Sequence, residues 1–431
     1  MNKKNIVFLV GEYKPNMSPN GKIVSLLCNE LADKCNITVI SRKNVFHLKS
    51  FEISKFERII RISDYNQSIN SFLAEMLRNS SGLPLQILRI LMFLRQVVFW
   101  IPRALRTSSV SSYFVKKIVH TMNKYLKNER IDAVIACSAP HEEIFAATKW
   151  CKETGVPLYV FQMDRFVNAN SLYPFSVTKT RQKRNNIKME KEVLQVCKRL
   201  FVLPPLRNYY RDDQYKLVQN KIITVEHPLV ARNINYDIPY TKESNDVIIT
   251  YAGSLDRKLR NPEHLLKIMS SSKVVTTNLK LQLFSFGNCE ELINTYSSSS
   301  NNSILQMGKV SSEEISKKLR ESTILLIIGN NSDEEIPSKL FEYLGYGKPI
   351  IHLYFSEMDK YLDYLSRYPK ALCLKIDDCC LDSNINKFIE FCNDSKDFWI
   401  SNREVVSLYK ECTPTYVANI FNEEIEKNSI F

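Results

Sequence analysis

The 431-residue chain is too long for one ordinary hydrophobic core and suits two domains. Its 44% apolar and 11% aromatic content excludes a disordered or fibrous protein. The surplus of 59 Lys and Arg over 46 Asp and Glu gives +13 and favours anionic partners such as phosphates or an acidic membrane surface, while the scattered basic residues carry no zinc-knuckle or aromatic-basic signature of nucleic-acid binding.

The opening MNKKNIVFLVGEY has an apolar run, Ile6–Val10, far too short for a signal-peptide core, and reads as a strand over 5–11. A long polar loop then enters a helix in GEYKPNMSPNGKIVSLLCNELA (11–32), and a second strand is expected at 36–42. LPLQILRILMFLRQVVFWIPRALR (83–106) approaches the length of a bilayer span. Arg89 and Arg95 interrupt it, each costing about 2.5–3.5 kcal/mol at mid-membrane, so a transmembrane helix is rejected. Two readings stay open: an interfacial helix whose Arg89, Arg95, Arg103 and Arg106 meet anionic head groups, or a core helix with snorkelling arginines.

Further strands are expected at 131–138, 157–163, 200–204 and 221–228. His141 stands at a strand-to-helix junction in CSAPHEEIFAA (137–147), and Asp164 and Arg165 follow the next strand. A polar, non-periodic stretch, ARNINYDIPYTKESND, covers 231–246. Strand-like runs then resume at 247–253, 279–287, 304–308, 323–329, 349–354 and 371–376. Such alternation predicts an α/β protein of two doubly wound, Rossmann-like domains facing a cleft, over 1–232 and 247–400, with a last helical segment at 413–431. Ligands in such sheets lie outside the carboxyl ends of the strands. The eleven cysteines form no C-x-x-C pair and fall mostly in apolar runs, which suits buried thiols in a reducing cytoplasm.

Two stretches carry chemistry. YAGSLDRKLRNPEHLL (251–266) is a strand, a turn at Gly253, a basic loop and a helix start, as a loop over a diphosphate requires, with Arg257, Lys258 and Arg260 competing for the phosphate. In EEIPSKLFEYLGYGKPII (334–351), Pro337 suits the first turn of a helix, and the amides of Ser338, Lys339 and Leu340 form an anion site. Glu342 lies beyond them, where a carboxylate can accept two hydroxyls of a vicinal diol. A nucleoside diphosphate offers both phosphates and a ribose diol.

Glu334, seven residues, Glu342 and then YLGYGKPII resemble the mark of the family 4 type of GT-B glycosyltransferases. The resemblance implies that Glu342 binds the ribose hydroxyls, that Glu334 lies beside the transferred sugar with Asp333 and Glu335 as rivals, and that the amides near Ser338 and Lys339 hold the diphosphate. It also implies that Arg257 and Lys258, beyond Gly253, neutralise the leaving group, although Gly253-Ser254 stands where the family has Gly-Arg and Asn261-Pro262 where it has Lys-Gly. The 11–32 loop is similar to the family's acceptor-side loop, with Asn20 and Gly21 near the donor diphosphate and one glycine in place of a pair. His141 then contacts the sugar, and FSFGN (284–288) and MGKVSSEEI (307–315) look like the central strand end and the base loop. In that family the last helix, here 413–427, crosses back onto the first domain.

Retention of anomeric configuration without a metal or cofactor follows from the resemblance; the chain has no Asp-x-Asp at a strand end and no acid-His spacing for a metal. The expectation is a cytoplasmic enzyme that moves a hexose-type sugar from a nucleotide sugar to a glycan or lipid-linked acceptor, with 83–106 able to meet an anionic membrane. A nucleotide-sugar epimerase of the same architecture and a non-catalytic donor-binding subunit are the alternatives.

Overall fold

The computed structural model describes residues 3–15, 17–43, 51–63, 69, 72–73, 76–77, 82–169, 172–240, 246–300, 303–331 and 338–427. Contacts divide the chain into two units, Met1–Pro228 with Pro414–Phe431, and Leu229–Thr413. Each is built on its own sheet.

The first unit runs β1 (Lys4–Glu12), α1 (Pro19–Leu31), β2 (Cys35–Lys43), β3 (Phe51–Ile53), β4 (Arg58–Ser63), α2 (Gly82–Leu105), α3 (Ser112–Leu126), β5 (Ala133–Cys137), α4 (Glu142–Thr154), β6 (Leu158–Gln162), α5 (Ser176–Val196), β7 (Arg199–Val202) and β8 (Ile222–Thr224). The sheet order is β3-β4-β2-β1-β5-β6-β7-β8. Its pairings are parallel except that of β3 with β4. Ile6 to Val10, Ala133 to Cys137 and Leu158 to Gln162 are buried along their whole length, as strands covered on both faces must be. Met122 of α3 and Trp150 of α4 pack into the same core as Val7, Val134, Val160 and Leu200.

The second unit runs β9 (Val247–Leu255), α6 (Glu263–Met269), β10 (Leu279–Gly287), α7 (Glu290–Ser299), β11 (Ile304–Gln306), α8 (Ser312–Glu321), β12 (Ile324–Ile328), α9 (Lys339–Leu344), β13 (Ile350–Tyr354), β14 (Ala371–Lys375) and α10 (Leu381–Asp394). Its six strands lie in the order β11-β10-β9-β12-β13-β14, all parallel. Counted within the unit this is 3-2-1-4-5-6, the doubly wound order that reverses between its first and fourth strands. Residues 229–237 belong to this unit: Val230 donates its N–H to Cys412 O (3.0 Å), Asn233 N–H reaches Asn402 Oδ1 (2.8 Å), and Tyr236 stacks on Tyr346.

The last helix, α11 (Pro414–Lys427), lies with the first unit against α1. Phe421 stacks on Phe201 with ring centres 3.9 Å apart, Tyr159 Oη donates to Glu424 O (3.1 Å), and Arg199 Nε donates to Glu424 Oε2 (2.7 Å).

All twelve strands expected from the sequence are present, and β3 and β4 are additional. Arg58 and Arg61 break the apolar run of β4, which hid it. The fold accommodates both charges: Arg58 forms two bonds to Glu129 (2.7 and 2.6 Å), and buried Arg61 donates to Glu52 (2.8 Å) and to Lys14 O (3.1 Å). Of the two readings of 83–106, the core helix is not what the fold contains, because most of the described apolar side chains of α2 are exposed.

Candidate functional site

In the second unit β9 is paired with β12 only at Ile249 and Thr250, yet it stays paired with β10 through Leu255. Beyond Thr250 the two strands part where the strand order reverses, the place where doubly wound sheets open to ligands. The polar groups of Ala252 turn to α9 instead: its N–H donates to Tyr343 Oη (3.1 Å), and Lys339 Nζ donates to its carbonyl. Gly253 follows, and a Cβ there would overlap the Lys339 ammonium. The missing side chain at 253 is the space that the cation fills. Lys339 also lies 5.1 Å above the ring of Tyr251, whose Oη donates to Ser254 O (2.8 Å).

A second cation arrives from the turn after β9. Asp256 and Arg260 exchange backbone hydrogen bonds (3.2 and 2.9 Å). The Asp256 carboxylate accepts from the amides of Lys258 and Leu259 (2.9 and 3.0 Å) and from Asn288 Nδ2 (2.8 Å). This closed turn sends Arg257 and Lys258 outward and brings Arg260 back. Arg260 Nε donates to Asn330 Oδ1 (2.6 Å) and Nη1 to Ser254 Oγ (3.1 Å), while Asn331 N–H bonds Leu259 O (2.8 Å). The loops following β9 and β12 are thereby stitched together. Burial, and then the charge of Arg260, pushes the Lys339 pKa down to about 8, with Glu342 acting in the opposite sense.

Sequence-predicted residues fall unevenly around this place. Gly253, Lys339 and Leu340 are in or beside it, with Leu340 fully buried; Glu342 is half-buried one turn along α9. Ser338 caps α9 without a side-chain bond. Arg257 and Lys258 are exposed, and the guanidinium of Arg257 stands 3.4 Å from exposed Glu291. Glu334, its rivals Asp333 and Glu335, and Pro337 lie outside the described residues. Asn330 and Tyr343 were not singled out from the sequence, and Lys339 was assigned its amide rather than its side chain. β9 runs on to Leu255 and turns at 256–260, not at Gly253 as the sequence suggested; one signal was legible, in that a glycine late in a strand before a basic loop leaves room for a long cation.

The first unit has its own strand-end cluster, where β1 lies between β2 and β5. A Cβ on Gly11 would run into the ring of Pro140, and one on Gly21 would enter the carbonyl of Glu12, so β1, α1 and the 138–141 turn approach closely. Asn20 Nδ2 donates to Ser138 O (2.7 Å) and to Asp164 Oδ2 (3.0 Å), and Ser138 Oγ accepts from the amides of Met163 and Asp164 (2.8 and 3.1 Å). His141 is buried with its ring edge-on to Phe166 (4.5 Å), and its Nδ1 has no partner among the described residues. Burial, with Glu142 and Arg42 acting in opposite senses, pushes its pKa down to about 4, so it is a neutral hydrogen-bonding group at neutral pH. The structure thus brings Asn20, Gly21, His141 and Asp164 to one edge of the sheet.

No protein-family model and no curated protein matches the sequence. Solved structures do match the whole length: a sucrose-phosphate synthase from Thermosynechococcus elongatus aligns at TM-score 0.62 and 12% identity, covering 99% of each chain. The chain has the GT-B fold. HepE of Anabaena in complex with UDP aligns at TM-score 0.57 and 10% identity over 98% of this chain and 100% of that one. The lipopolysaccharide outer core galactosyltransferase WaaB, in its apo form, aligns at 0.52 and 14% over 98% and 99%. At such identities the likeness carries the GT-B architecture and no residue-level assignment.

Proposed function

We propose that the chain is a glycosyltransferase that moves a sugar from a nucleoside-diphosphate sugar to a glycan or lipid-linked acceptor, by retaining, metal-independent chemistry, in cell-surface polysaccharide or glycolipid synthesis. The observation that carries this reading is the pair of cations, Lys339 from the first turn of α9 and Arg260 from the turn after β9, brought together at the parted end of β9. Fixed positive charge at that place suits a leaving diphosphate, whose terminal phosphate gains one negative charge as its bond to the sugar's anomeric carbon breaks. Preorganisation is the point: both cations are already bonded to the scaffold, so little reorganisation is needed when charge develops.

In this reading Lys339 and Arg260 hold the diphosphate, with Arg257 and Lys258 on the outer side of the same turn and the Ser338 and Leu340 amides nearby. Glu342 accepts the ribose hydroxyls, and Glu334 orients the sugar. Asn20 and Gly21 approach the donor diphosphate, and His141 and Asp164 serve the sugar and acceptor side, where a neutral imidazole can bond a hydroxyl without carrying charge. HepE, solved with UDP and with UDP-glucose, supports a uridine donor as the first one to try.

The test is thermal stabilisation by UDP, GDP, ADP, dTDP and CMP on the wild type and on Glu342→Ala. A specific nucleotide at a hundred times its dissociation constant stabilises the native state by about 2.7 kcal/mol. Loss of charge-assisted bonds to the ribose removes about 1.5–3 kcal/mol of binding. One nucleotide that shifts the wild type and not the variant supports the reading, and no shift by any of them overturns it. Incubating the donor sugar without acceptor then separates transfer from epimerisation.

A further inference from the structure

We infer that α2, together with the basic first half of α5, is a docking surface for an anionic lipid bilayer. The inference rests on the first unit alone and holds whether or not the chain transfers sugars.

The 24-residue α2 turns an apolar stripe to solvent. Leu83, Ile87, Ile90, Leu91, Leu94 and Val98 recur at helical spacing and are 50–73% exposed, whereas Leu88, about 110° around the wheel from the middle of that stripe, is buried at 8%. The helix is therefore seated through the Leu88 side and presents the other. Scattered exposed apolar residues need no explanation, but six on one helix face form a contiguous patch of the kind that marks an interaction site. Among the described residues no helix is long and apolar enough to cross a membrane, so the stripe is suited to lying along an interface rather than through one.

Charge decides the occupant. Between Glu75 and Glu129 the sequence has no Asp or Glu, while nine Lys or Arg fall in that interval, including Arg89, Arg95 and Arg103 of α2 itself. The end of α2 is fastened to α5: Arg106 O accepts from Arg181 Nη2 (3.1 Å) and Gln182 Nε2 (3.2 Å), and Thr107 O from Asn185 Nδ2 (2.8 Å). Helix α5 carries Lys179, Arg181, Lys183, Arg184 and Lys188 before its first acid, Glu190. Lys179, Arg181, Arg184 and Lys188 are exposed, as is Val177 at 93%. An apolar helix fixed beside a bank of cations matches a surface that is apolar beneath and negative at its face, which is an anionic bilayer. A second copy of this chain would bring the same cations against themselves.

The experiment is co-sedimentation of the full chain with vesicles of phosphatidylcholine alone or with one-third phosphatidylglycerol, at low and high salt. Two exposed-site variants accompany it, Ile90→Ser with Leu94→Ser, and Arg184→Gln with Lys188→Gln, each checked for unchanged circular dichroism and melting. The wild type is expected to sediment with the anionic vesicles and much less with the neutral ones. The apolar pair should lose binding by at least about tenfold at either salt, and the cation pair should weaken it by about fivefold per charge, mainly at low salt. Absence of sedimentation with anionic vesicles overturns the inference, as does binding that the apolar pair leaves unchanged. A dimer seen in sedimentation velocity that the apolar pair abolishes, without vesicle binding, assigns the stripe to a second copy instead.

Discussion

Both sheets end in a polar cluster where their strand order reverses, and the two clusters differ in charge. At the end of β9 the scaffold spends its backbone carbonyl and a missing side chain on holding Lys339, and a closed turn brings Arg260 beside it. At the end of β1 and β5 the equivalent space is knitted by Asn20, Ser138 and Asp164, and its histidine is kept neutral by burial. Topology supplies the place in both cases. The side chains alone decide whether that place is cationic or neutral.

The largest expected effect tests the cationic half. Lys339→Met or Arg260→Gln should weaken nucleoside-diphosphate binding by about 1.5–3 kcal/mol each, roughly tenfold to more than a hundredfold by calorimetry. Retained affinity in both variants would dissolve the distinction between the two edges. Next comes Gly253→Ala, in which a methyl group takes the volume of the ammonium. A loss of about 1–3 kcal/mol in denaturant unfolding is expected, or, if Lys339 swings aside, a comparable loss of nucleotide affinity.

The two edges should also differ in their response to pH. Lys339, lowered from its ordinary 10.5 to about 8, is charged below that pH and neutral above it, so nucleotide affinity should be full at neutral pH and decline as pH rises through 8. His141, lowered to about 4, is already neutral throughout the physiological range, and its imidazole resonances should titrate near 4 by NMR. A midpoint near the ordinary 6.5 would mean that the first cluster is open to water and charges in mildly acidic solution.

The smallest effect is expected for Arg257→Gln and Lys258→Gln. Both side chains are exposed, and the Arg257–Glu291 pair is a surface contact of the kind worth about 0–1 kcal/mol. Nucleotide affinity should change less than about fivefold by the same calorimetry. A loss as large as that of Arg260→Gln would show that the outer side of the turn folds onto the donor.

The basic loop YAGSLDRKLR illustrates where sequence reading stops. A strand, a basic loop and a helix start are what a loop over a diphosphate requires, and the sequence left Arg257, Lys258 and Arg260 as rivals for that task. Which cation depends on Asp256, whose carboxylate closes the turn on the amides of Lys258 and Leu259 and so reverses the chain before Arg260. Similarly, Lys339 read as a helix-start residue, and its side chain acquired a role only because β9 and β12 part beyond Thr250.

By itself the sequence determined the alternation of strands and helices and the two-unit α/β class, because uninterrupted β-branched runs and polar strand-end loops are local patterns. It missed β4, where half-buried Arg58 and buried Arg61 are paired with Glu129 and Glu52, partners distant in the chain or on the antiparallel edge. It also left the 83–106 helix undecided, since amphipathic spacing specifies that a helix has an apolar face and not what that face meets. Tertiary structure decided those matters for one reason. Burial, and hence the cost of a charge or the exposure of a leucine, is a property of everything packed around a residue and not of its neighbours in sequence.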